Sequence, residues 1–110
     1  MLHESRQATR AVVSHELEEA GVERDIAERL ATSGRMSRAA LYCAAADPNV
    51  DERCIRLAAA LELIHRASVI RDDIEDGDLV RRGKPTEFAA LGAARALAVA
   101  DVAALVATTR

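Results

Sequence analysis

Five acids crowd the stretch from Asp72 to Asp78: Asp72, Asp73, Glu75, Asp76 and Asp78. Three cations follow at once, Arg81, Arg82 and Lys84. Carboxylates of this density bind hard divalent cations, and magnesium takes one or two of them while keeping water and phosphate oxygens as its other ligands. Arginine forks bind phosphate oxygens bidentately, which lysine does less specifically. The pair of clusters therefore reads as a site for magnesium and a polyanion. A solvated acidic helix end neutralised by Arg81 and Arg82 is the alternative reading. A calcium loop fails, because Ile74 and Gly83 stand where oxygen ligands belong. Zinc fails for want of thiolate and imidazole spacing.

What must position these acids is the apolar stretch before them. From Asp51 and Glu52, acids suited to a helix start, the pattern predicts one long helix ending at Asp76 and Gly77. At ~100° per residue, Glu62, His65, Val69, Asp72 and Asp76 fall within a sector of about 80°, with Asp73 just outside. Leu57, Leu61, Leu63, Ile64 and Ile70 spread over much of the remaining circumference. A helix apolar nearly all round belongs inside a bundle. Shorter helices are expected at Ser5 to Ala20, with Ala8, Ala11 and Val12 on one side, at Glu23 to Thr32, with Ile26, Ala27 and Leu30 inward, and at Arg35 to Ala46. A turn is expected at Asp47-Pro48-Asn49. A basic loop precedes a last helical stretch from Glu87 to Thr108, interrupted near Gly92. These segments look barely sufficient to surround the long helix, the first sign that the bundle is incomplete.

Composition agrees with an all-α chain. Of 110 residues, 24 are alanine and only 2% are aromatic, so the core of an isolated chain would be thin. At 110 residues one domain is expected and no second. A net charge of −3 argues against general nucleic-acid binding. Cys43 and Cys54 form no CxxC pair and read as free thiols of a reducing cytoplasm. The N-terminus has no apolar signal region, and Leu91 to Ala107 carries Arg95 and Asp101 and is short for a membrane span, so a cytoplasmic protein is expected.

Glu62-Leu63-Ile64-His65, Asp72-Asp73-Ile74-Glu75-Asp76 and Leu79-Val80-Arg81-Arg82-Gly83-Lys84-Pro85-Thr86 closely resemble the trans-isoprenyl diphosphate synthases, or polyprenyl synthetases. The match is to that family's first aspartate-rich motif, DDxxD, and the Arg-Arg-Gly-Lys-Pro-Thr element after it. Ser33-Gly34-Arg35-Met36-Ser37-Arg38 is similar to a diverged Gly-Gly-Lys-Arg-x-Arg-Pro element, and Ala100-Asp101 resembles the Gly-Asp of a later helix. The resemblance implies part of an all-α isoprenoid-synthase bundle of about five to six helices, completed by a partner chain. It implies that Asp72 and Asp76 hold magnesium ions on an allylic diphosphate, with Asp73 supporting and Arg81 contacting the same diphosphate. Arg35, Arg38, His65 and Arg82 would bind isopentenyl diphosphate. Ala67 and Ser68 correspond to positions where bulk shortens the product pocket.

Three departures from the family matter. Arg35 stands for the usual lysine, and Met36 and Ala39 replace the usual arginine and proline. Asp101 is the one acid after Glu87, so nothing here supplies the family's second aspartate-rich motif. The expected function is one subunit of a split prenyl diphosphate synthase, active with an all-α partner that carries the second motif. The other readings are a regulatory or scaffold subunit of a full-length synthase and a truncated, inactive fragment.

Overall fold

The structure, a computed structural model, describes residues 2–32 and 52–109. Five helices and one small hairpin make up these residues: α1 (Leu2–Glu19), α2 (Arg24–Thr32), α3 (Glu52–Asp76), β1 (Val80–Arg81), β2 (Lys84–Pro85), α4 (Glu87–Leu91) and α5 (Ala93–Thr109). The chain is all-α in class, as expected. The helix expected at Arg35 to Ala46 and the turn at Asp47-Pro48-Asn49 lie outside the described residues.

The long helix α3 is the centre of the arrangement. It packs chiefly against α5, and α1 lies against both. Its buried side chains Ala59, Leu63, Ala67 and Ile70 meet Ala96, Val99, Ala100, Ala103 and Val106 of α5 in one core cluster. Alanines dominate both sides of that seam, which lets the two backbones come close. Leu17 of α1, Leu30 of α2 and Leu63 of α3 are the largest fully buried side chains among the described residues, at roughly 2 kcal/mol each.

The buried stripe of α1 is Thr9, Val13 and Leu17, one residue every helical turn. This corrects the expected face, since Ala8 and Ala11 are exposed and only Val12 is half-buried. Alanine carries little directional preference, and the branched and larger side chains decide the orientation. On α2 the inward residues are the expected Ile26, Ala27 and Leu30, joined by Ala31. Gly92, at φ 82°, divides the last helical stretch as expected. Cys54 is disulfide-bonded, contrary to the free-thiol expectation. Disulfides need sulfurs that meet in space rather than a CxxC spacing, and Cys43 lies outside the described residues.

Candidate active site

Glycine ends α3 where expected, and it does so through a closed hydrogen-bond pattern. Gly77, at φ 68°, donates to the Ile74 carbonyl at 3.3 Å, and Asp78 donates to the Asp73 carbonyl at 2.9 Å. That pairing is a Schellman end, which needs a left-handed residue at the glycine position. It turns the chain back over the helix that it has just left. The following segment is a hairpin rather than the plain loop expected: Val80 pairs with Pro85 and Arg81 with Lys84. Arg82 and Gly83 form its two-residue turn with φ 52° and 78°. Positive φ at both turn residues matches the twist of the flanking strands. An arginine held there is disfavoured by roughly 1–2 kcal/mol relative to its ordinary backbone conformations, and the ladder on either side holds it.

The hairpin mouth is fastened by Thr86. Its N–H donates to the Leu79 carbonyl at 3.0 Å and its hydroxyl to the Asp78 carbonyl at 2.7 Å. The same hydroxyl oxygen accepts from the Ala89 N–H at 3.1 Å, which caps α4. Glu87 then forks onto Arg29 of α2, with contacts of 2.8 and 3.3 Å. The hydrogen bond from Arg29 to Glu87 raises the arginine's pKa. Thus α2, α4 and the hairpin are tied to one another beside the end of α3.

The expected site residues separate into distinct places. Asp72 and Asp76 are exposed on one face of α3 with Glu75, His65 and Ser68. The Ser68 hydroxyl donates to the Ile64 carbonyl at 3.2 Å. Asp73 is turned away from that face and is 3% exposed. Its Oδ1 accepts both Nε and Nη2 of Arg81, at 3.0 and 2.8 Å. That hydrogen bond, then the charges of Asp73, Asp78 and Asp72, raise the Arg81 pKa. Asp73 therefore anchors the hairpin twice, by its carbonyl and by its carboxylate. The Nη1 edge of Arg81 is outside this contact, and the side chain as a whole is 46% exposed. Arg82 is exposed at the turn. Ala67 faces the α5 seam, buried in the core cluster, while Ser68 lies on the open face. Arg35 and Arg38 lie outside the described residues.

The same open face of α3 continues towards the helix start as Leu57, Leu61 and Ile64, which remain 46%, 46% and 44% exposed. Apolar side chains at one end and carboxylates at the other thus share a single surface. Among the described residues no three His, Cys, Asp or Glu side chains come together as a ligand cage. A cation that demands only one or two carboxylates and keeps its waters fits Asp72 and Asp76, four residues apart on one face. A cage-bound metal does not.

Two contacts are not foreseen from the sequence, and a third feature is signalled there. Arg71 pairs across the α3–α5 seam with Asp101, and Arg66 sits close to Glu62. Thr86, followed directly by Glu87, did carry a legible cap signal.

Residues 22–109 match the polyprenyl synthetase family. The chain belongs to that family. It is 40% identical over 72 residues to geranylgeranyl diphosphate synthase of Mycobacterium tuberculosis, covering 64% of this chain and 21% of that protein. It is 32% identical over 111 residues to farnesyl diphosphate synthase of Geobacillus stearothermophilus, covering 91% of this chain and 36% of that one. Heptaprenyl diphosphate synthase component 2 of Geobacillus stearothermophilus is 54% identical over 35 residues, or 32% of this chain and 11% of its own length. The chain thus spans about a third or less of these polyprenyl synthetases. No solved structure matches at a significant level. No described helix is long and apolar enough to cross a membrane.

Proposed function

We propose that this chain supplies the first aspartate-rich half of a prenyl-transfer site, as the N-terminal portion of a prenyl diphosphate synthase whose other half is a separate all-α subunit. The observation that carries the reading is the open face of α3, where Leu57, Leu61 and Ile64 lead to Asp72 and Asp76. An allylic diphosphate has the same polarity, an apolar chain joined to an anionic head. Ile64 and Asp72 are separated by about 12 Å along the helix at ~1.5 Å per residue, so one extended substrate can lie against both. Leu57, Leu61 and Ile64 also need a covering helix, which a complementary subunit would supply. Heptaprenyl diphosphate synthase component 2 is, by its name, one component of an enzyme. That supports a two-chain arrangement here.

In this reading Asp72 and Asp76 hold magnesium, which when bound neutralises the diphosphate that leaves. Arg81, held by Asp73, turns its free edge to the allylic diphosphate, and cationic side chains stabilise its departing charge. Arg82 and His65, with Arg35 and Arg38, bind isopentenyl diphosphate. The double bond of isopentenyl diphosphate attacks the allylic cation left by ionisation, and a proton is lost. Ser68, on the face of Asp72, borders the growing product; Ala67 would do so only through the helix position that it fixes.

The test is reconstitution with magnesium, isopentenyl diphosphate and allylic diphosphates of increasing length. The chain alone should be inactive, and activity should appear when it is co-expressed with an all-α chain that carries a second aspartate-rich motif. Inactivity with every such partner, although a complex forms, would sink the proposal.

A further inference from the structure

Glu62, Arg66 and Asp73 line one side of α3, within about 40° of one another at ~100° per residue. Glu62 and Asp73 are buried. Arg66 is nearly so, with a side chain 14% exposed. Its Nη2 lies 4.0 Å from the Glu62 Oε2, at the outer limit of an ion pair. Its Nε is buried and has no hydrogen-bond partner. A buried charged donor without an acceptor is costly, and such groups usually have one. A loose contact with Glu62 does not meet that need.

The hairpin brings two more guanidiniums near enough for their charges to act on Arg66. Burial lowers the Arg66 pKa, Glu62 opposes that, and the charges of Arg82 and Arg81 lower it further. Among the described residues, Arg81 is the one of the three arginines with a close carboxylate partner, Asp73. Arg82 is exposed at the left-handed turn of the hairpin. A buried fork with an unanswered Nε, beside a loosely engaged glutamate and within reach of the charges of two more arginines, suits an anion with several oxygens, since each fork can donate two N–H groups to it.

We propose that Arg66 is a further diphosphate-binding residue, acting with Arg82 and the open edge of Arg81, and that Glu62 is its resting counter-ion. The inference rests on the proposed function for the identity of the anion. An anion reaching Arg66 would give Nε its missing acceptor and compete with Glu62 for the Nη edge. The two residues therefore have opposite effects on affinity, which a purely structural ion pair would not produce.

Titration of the full chain with inorganic diphosphate, followed by calorimetry, tests this. Arg66→Gln should weaken binding by about tenfold or more, the scale of a lost charge-assisted hydrogen bond. Arg66→Lys should recover part of the loss, and Glu62→Gln should tighten binding. If Arg66→Gln fails to fold, Glu62→Gln decides alone: tighter binding supports the inference, and unchanged or weaker binding overturns it. Unchanged affinity in both variants, with binding lost in Arg82→Gln, would overturn the role of Arg66 and leave the proposed function standing. A wild-type chain and complex that both ignore diphosphate would remove the two together.

Discussion

Replacing Arg81 by alanine probes the joint between the acidic helix end and the hairpin. The Asp73 carboxylate is 3% exposed and accepts two hydrogen bonds, at 2.8 and 3.0 Å, from that one side chain. Removing one partner of a fully buried pair costs about 3–5 kcal/mol, and an exposed pair contributes about 0–1 kcal/mol. Here the carboxylate is buried but the arginine is 46% exposed, so water screens the cationic end. A loss of about 2 kcal/mol for Arg81→Ala follows from that intermediate placement. Asp73→Asn should cost about 1 kcal/mol, because it leaves a cation that water can solvate rather than a stranded anion. The double variant should cost less than the sum of the singles, since each removes the same interaction. In thermal unfolding of the chain in its purified assembly, about 2 kcal/mol corresponds to a fall of roughly 8–16 °C for a domain of this size. A fall below about 2 °C for Arg81→Ala, or a larger fall for Asp73→Asn than for Arg81→Ala, would refute the reasoning.

Further outcomes follow from the same contacts. Thr86→Ala should destabilise by about 1–2 kcal/mol in thermal or urea unfolding, because it frees the Ala89 N–H and the Asp78 carbonyl together, whereas Thr86→Ser should retain most of that stability. Asp76→Asn should weaken magnesium binding by calorimetry while raising thermal stability by about 0.3–1 kcal/mol, since α3 carries acids and no base in its last turn. The raised pKa values of Arg29 and Arg81 set the sign of a pH effect. Their stabilisation is complete below the ordinary guanidinium range and is lost only as pH rises through the still higher folded value. The arginine side of these pairs should therefore produce no fall in the unfolding midpoint between about pH 7 and about pH 9, as measured by thermal scans.

Glycine and the helix period made much of the architecture legible. Gly77 and Gly92 punctuate the chain where they were expected, and the spacing of Asp72 and Asp76 placed both on one face. The orientation of α1 was not legible, because Ala8 and Ala11 carry little free energy to choose a face and Thr9 reads as polar. Nor was the hairpin, whose turn holds an arginine where asparagine or glycine is the usual signal. The Asp73–Arg81 contact depended on that hidden turn, since the hairpin's return path decides which carboxylate the arginine reaches. Arg66 was invisible for a related reason: Arg81 and Arg82 are fifteen and sixteen positions away, and their charges act on it only through the fold.

The central claim is that the open acidic face of α3 takes part in prenyl transfer rather than only in docking. The most direct measurement is turnover of labelled isopentenyl diphosphate, with magnesium and an allylic diphosphate, by the reconstituted complex carrying Asp72→Ala and Asp76→Ala in this chain. Complex formation is checked in the same samples by gel filtration. The account predicts an intact complex whose turnover is abolished. An intact complex with unchanged turnover would contradict it and assign the chain a regulatory role.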